Sequence, residues 1–87
     1  MSNIMGHISN EAIHETFDNT RPYVVCRSEH AGIQRYAQTW AGDNLTCWES
    51  LKYNIATILG MGLSGVANQG CDVGGFYGVA PEAELFV

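Results

Sequence analysis

The chain has 87 residues, an apolar share of 46% and a formal net charge of −5 with only four Lys and Arg. That apolar share is too high for a disordered segment, and so few cations argue against nucleic acid and against an anionic membrane surface, both of which need clustered positive charge. No apolar run approaches the roughly 20 residues of a spanning helix, and MSNIMGHISN has neither the basic start nor the unbroken apolar stretch of a leader, so a cytoplasmic location is expected.

Ser2 to Phe17 reads as a helix with Ile4, Ile8 and Ala12 on one face, Met1 and Met5 beside them, and Ile13 and Phe17 as a second pair. Gly6 weakens it by about 1 kcal/mol against Ala. The helix breaks at Asp18-Asn19-Thr20-Arg21-Pro22, where the proline ends any continuation. Tyr23 to Cys26 follows as a continuously apolar strand, expected to be buried on both faces as in a parallel sheet. Ser28 to Arg35 is a loop hinged at Gly32, and Tyr36 to Trp40 a second short strand interrupted by Gln38 and Thr39.

Thr46-Cys47-Trp48-Glu49 has the form of a capping box, in which the Thr46 hydroxyl and the Glu49 carboxylate each accept the other residue's amide. Behind it Trp48, Leu51, Ile55, Ile58, Leu59 and Leu63 make one apolar stripe of helical period, with Gly60 and Gly62 expected to fray its end. Gly65 to Asp72 reads as an extended segment and Val73-Gly74-Gly75-Phe76 as a loop. Pro81 to Leu85 has the form of a helix start, with Pro81 at the first helical position. This order of elements predicts an α/β fold, and both ends fall at elements that want partners, as in a fragment of a larger domain.

Charged residues stand where the apolar runs end: Arg27 after the first, Asp43 after Trp40-Ala41-Gly42, and Asp72 before the Gly-rich loop. Functional groups gather in that way at the strand ends of a (β/α) barrel. Each has a plainer alternative: Asp43 and Asp72 as turn residues, Arg27 as a solvated strand end, Trp40 as core. Cys26, Cys47 and Cys71 lack C-x-x-C or finger spacing and read as reduced structural thiols. His7 and His14 can share a helix face, but no metal-binding pattern is present, so neither metal nor cofactor is expected. Gly60-Met61-Gly62-Leu63-Ser64-Gly65 matches a dinucleotide motif, yet it closes a helix instead of opening one, which would set phosphate against the wrong dipole end.

The runs Arg21 to Ser28, Ala31 to Tyr36 and Trp40-Ala41-Gly42-Asp43-Asn44, then Trp48-Glu49-x-Leu51, Ile58 to Gly65 and Asp72-Val73-Gly74-Gly75-Phe76, resemble glycoside hydrolase family 31, the α-glucosidase and α-xylosidase family. The resemblance covers nearly the whole chain. It implies that residues 1–87 are a fragment of the catalytic domain, a partial (β/α)8 TIM barrel holding roughly strands 5 to 7 with their helices. It implies Asp43 as the catalytic acid/base, and Arg27, Trp40 and Asp72, with Phe76 flanking, as binding residues of the sugar subsite nearest the cut bond. The implied partners are an α-linked oligosaccharide or glycoside and the missing parts of the barrel.

A retaining glycosidase uses two carboxyl groups about 5–5.5 Å apart, and its acid needs burial and a neighbouring charge to hold a proton near neutral pH. The family's nucleophile motif, of the form W-x-D-M-N-E, is absent from this sequence, as is the histidine of the eighth strand. Glu29 stands where relatives carry a small or hydroxyl residue, and Val79 where they carry proline. The expectation is a piece of an α-glycosidase that does not turn over substrate alone. The alternative is a non-catalytic carbohydrate-binding or structural remnant of a broken gene.

Overall fold

The computed structural model describes all 87 residues. In chain order the elements are α1 (Ser2–Thr16), β1 (Val25–Cys26), a 3-10 turn (Ile33–Arg35), β2 (Gln38–Trp40), α2 (Trp48–Leu63), β3 (Gln69–Gly70) and α3 (Ala83–Phe86). The three strands form one parallel sheet in the order β1-β2-β3. Val25 faces Gln38, Cys26 and Gln69 both face Thr39, and Gly70 faces Trp40. Amides of Gln38, Thr39 and Ala41 donate to Val24, Asn68 and Gly70 at 3.0, 3.0 and 2.9 Å, so the ladder runs beyond the strands proper.

The first strand is shorter than Tyr23 to Cys26, and it is not buried on both faces. Tyr23 and Val25 are exposed, while Val24 and Cys26 are half-buried. α1 covers one face only. It approaches through Gly6, where an added Cβ would lie 2.7 Å from Ile33 Cδ1 and 3.3 Å from Cys26 Sγ. Asn3 and Asn10 pin the same face: Asn3 Nδ2 donates to the His30 carbonyl at 3.1 Å and its Oδ1 accepts the His30 amide at 2.9 Å, while Asn10 Nδ2 donates to the Tyr36 carbonyl at 2.8 Å. The expected apolar face of Ile4 and Ile8 points outward instead. A small residue allows closer approach than an isoleucine would, and the flanking amides satisfy loop groups that an apolar face would leave bare.

α2 forms as the periodicity predicts, but its stripe does not enter the core. Leu51, Ile55, Leu59 and Leu63 are exposed, while Asn54 is buried and Ile58 half-buried. The capping box does not form. Thr46 is held outside the helix by its amide, which donates to Tyr77 O at 2.8 Å, and Cys47 becomes the N-cap without a side-chain cap bond. Gly60 and Gly62 stay helical, and the helix ends at Ser64, whose amide and hydroxyl both donate to Gly60 O. Pro81 lies before the start of α3, with Glu82 as its N-cap.

Ile33 and Val66 are the only buried hydrophobic side chains that form the core. The accessible surface is 6453 Å², against about 5,000 Å² expected of a compact monomer of this mass. The radius of gyration is 15.0 Å, against about 12 Å for a compact domain of this length. Three strands are too few to curl closed, so the outer faces of both long helices and the inner face of the sheet stay open.

Candidate active site

Every sequence-predicted polar site residue lies at the C-terminal end of the parallel strands. Arg27 follows the last residue of β1, Trp40 ends β2, Asp43 sits in the turn after β2, and Asp72 comes just after β3. Parallel strands drawn into register bring their ends together, which gathers these side chains although they are distant in sequence.

Arg27 is the hub. Its Nη1 lies 3.5 Å from Asp43 Oδ1, and its guanidinium carbon 5.5 Å from the centre of the Trp40 ring. Gly42 makes this possible: its φ is +87°, and a Cβ there would lie 3.0 Å from Arg27 Cδ. Trp40 and Asp72 line one open cleft with Thr39, Gly70 and Cys71 along the sheet. Asp72 Oδ2 is shielded from solvent and has no hydrogen-bond partner, which leaves a strong acceptor unused beside the cleft.

Phe76 is set apart from this group. Its side chain is exposed and does not line the cleft of Trp40 and Asp72. Its backbone is tied to the site, because the Phe76 and Tyr77 amides donate to the Asn44 carbonyl at 2.7 and 3.2 Å. Asn44 Nδ2 also donates to the Gly42 carbonyl at 2.9 Å. Asn44 therefore braces the Asp43 turn from both sides. The sequence places Asn44 in the motif without giving it a role, although Asn after Asp in a glycine turn is a known source of such local bonds.

Asp43 is exposed, and the charge nearest it is a cation. The burial and second carboxylate that an acid role calls for are not supplied by this chain's own residues. Glu29 differs: its Oε1 is shielded and unpartnered. Burial first, and the Glu29 carboxylate second, push the Cys26 thiol above its ordinary 9.0. All three cysteines are free. His7 ligates nothing: its ring stacks on Tyr36 at 4.2 Å between centroids and its Nε2 lies 3.0 Å from Glu11. No group of three His, Cys, Asp or Glu is placed to hold a metal ion.

The family model for the glycosyl hydrolases family 31 TIM-barrel domain matches residues 1–87, the whole chain. The chain belongs to glycoside hydrolase family 31. The crystal structure of a glucosidase II alpha subunit, in an alpha3-Glc2-bound form, superposes with a TM-score of 0.89 at 33% identity, over 98% of this chain and 9% of that one. The three-stranded sheet and its helices are thus part of a TIM barrel. Among curated proteins, glucosidase 2 subunit alpha of Schizosaccharomyces pombe is 42% identical over 98% of this chain and 10% of its own length. The probable glucan 1,3-alpha-glucosidase of Arabidopsis thaliana is 48% identical over 77% of this chain and 7% of its own length. The alpha-glucosidase of Saccharolobus solfataricus is 48% identical over 64% and 8%. The chain spans a tenth or less of these relatives.

Proposed function

We propose that residues 1–87 are the acid/base-bearing part of the catalytic barrel of a retaining α-glycosidase acting on terminal α-linked glucosyl or xylosyl residues. The strands β1 to β3 correspond to roughly the fifth to seventh of that barrel. The observation that carries this reading is the convergence of Arg27, Trp40 and Asp43 at neighbouring strand ends, with Asp72 beside them. The names of the family 31 relatives support the α-glucosidase class.

In this reading Asp43 gives its proton to the glycosidic oxygen as the bond to the anomeric carbon breaks and a second carboxylate, from outside this chain, attacks that carbon. Asp43, now ionised, takes a proton from water, whose oxygen displaces the carboxylate and frees the sugar. Asp72, whose half-buried side chain lines the cleft, accepts a hydrogen bond from a sugar hydroxyl through its carboxylate. Arg27 donates to hydroxyls or holds Asp43 in place, the Trp40 indole offers an apolar platform to the ring face, and Phe76 flanks the subsite.

The test is a chimera in which these residues replace the matching stretch of the S. pombe subunit. Hydrolysis of an α-glucoside, abolished by Asp43→Asn, is the expected result, together with no turnover by the isolated chain. A folded chimera that keeps its rate with Asp43→Asn overturns the assignment. One that binds sugar through Asp72 without cutting it favours the non-catalytic remnant.

A further inference from the structure

Asp43 lies exposed in a turn entered through Gly42, whose φ of +87° is a conformation that suits glycine, the residue with the freest backbone. The charge that Asp43 meets is Arg27, at 3.5 Å, and that attraction lasts only while the carboxylate is ionised. A general acid has to keep its place while it still holds its proton, when the pull of a guanidinium is largely gone. The turn therefore needs a restraint that is indifferent to charge.

The Asn44 side chain supplies one. Its Nδ2 donates to the Gly42 carbonyl at 2.9 Å, closing a small ring around Asp43 that is the same whichever form the carboxyl takes. Gly42 is buried, so its carbonyl calls for a protein donor. The Asn44 backbone is anchored in turn. Its carbonyl accepts the Phe76 and Tyr77 amides at 2.7 and 3.2 Å, the Thr46 amide donates to Tyr77 O at 2.8 Å, and Leu45 and Tyr77 form a parallel bridge. Backbone bonds thus fix Asn44 against the loop after β3, and its side chain reaches back across Asp43 to the end of β2. Every one of these contacts is made between residues 42 and 77, within this chain. A side chain that only completed the turn would, when removed, weaken the fold and slow every substrate alike.

We infer that Asn44 is a positioning residue for the general acid, its amide holding Asp43 within reach of the glycosidic oxygen in both protonation states, a role that rests on the glycosidase reading. Misplacing an acid slows the reaction only where the leaving group needs its proton. A departing sugar alkoxide needs it, whereas fluoride leaves without one. Asn44→Ala is therefore compared with its parent in the chimera with the S. pombe subunit, on an α-linked glucose disaccharide and on α-glucosyl fluoride. The disaccharide kcat/KM is expected to fall about 10- to 100-fold, a part of the roughly 10²–10⁴-fold that acid catalysis supplies, and the fluoride kcat/KM by less than about threefold. The ratio of the two is the readout, because an unfolded fraction lowers both alike. Asn44→Leu, similar in size and without a donor, repeats the comparison should Asn44→Ala not fold. An unchanged ratio, whether both rates are kept or both fall together, overturns the positioning role. Asp43→Asn, measured alongside, should lose the disaccharide rate and spare the fluoride rate. If it does so while the Asn44 variant keeps the parent's ratio, the acid assignment stands and the role of Asn44 falls. If Asp43→Asn also keeps that ratio, the glycosidase reading falls and the role of Asn44 with it.

Discussion

Arg27 reaches from the end of one strand to the turn after the next, placing its Nη1 3.5 Å from Asp43 Oδ1 with the Trp40 ring alongside. Both partners of this pair are about half exposed. Exposed ion pairs contribute about 0–1 kcal/mol, so the pair is worth little to folding. Arg27→Gln is therefore expected to shift chemical unfolding of the chain by less than about 1 kcal/mol. In the chimera the same change should lower kcat/KM for an α-glucoside by about 10- to 100-fold, the worth of one charged hydrogen bond. A large stability loss with an unchanged rate would make the pair structural.

The glycines of β3 and of the loop after it divide sharply. Gly75 has φ +90°, and a Cβ there would fall 2.6 Å from Thr46 Cα, a backbone atom that cannot step aside. Gly70 has nothing within 4 Å. Gly75→Ala should cost about 2 kcal/mol or more and displace Asp72, whereas Gly70→Ala should stay within about 1 kcal/mol of the parent. Paired denaturant curves check both.

Helix glycines divide in the same way. Gly6→Ala gains about 1 kcal/mol of helix propensity but forces a methyl onto Ile33, and overpacking costs about 1–3 kcal/mol. Gly60 and Gly62 face open space inside α2. Alanine at either should stabilise by about 0.5–1 kcal/mol. Thermal unfolding of the three variants should place Gly6→Ala lowest.

Cys26 tests the buried Glu29 carboxylate. Both burial and that negative charge disfavour the thiolate, so removing the charge lowers the thiol's proton affinity and raises the thiolate fraction wherever the thiol is not already fully ionised. Glu29→Gln should speed iodoacetamide labelling of Cys26 between about pH 7.5 and 9, with the gain vanishing once the thiol is ionised in both proteins. Equal rates across that range would place Glu29 out of electrostatic reach.

The motif residues were legible because their chemistry is local. Arg27, Trp40, Asp43 and Asp72 follow apolar runs or turns, and parallel strands carry them to one end. The α2 helix was legible from its period. Which face each helix buries was not, because periodicity reports an apolar face and not its partner. Ile4 and Ile8 in α1, and Leu51, Ile55 and Leu59 in α2, have no partner among these elements, while Gly6, Asn3 and Asn10 make the close contacts. The capping box failed for a related reason: the Thr46 backbone is committed to Tyr77, a partner far along the chain that no four-residue pattern reveals. The bracing by Asn44 is likewise made by residues brought together only when the sheet forms.

The sheet order β1-β2-β3 repeats the order in which the strands leave the ribosome. β2 and β3 each emerge to find a neighbour already made, and the short passage from Arg27 to Ala37 closes the first pairing at little entropic cost. Trp40 and Asp43 follow at once, so the Asp43 turn is laid down on a finished edge. A nascent chain can lengthen this sheet strand by strand, each pairing within it made with a strand already synthesised.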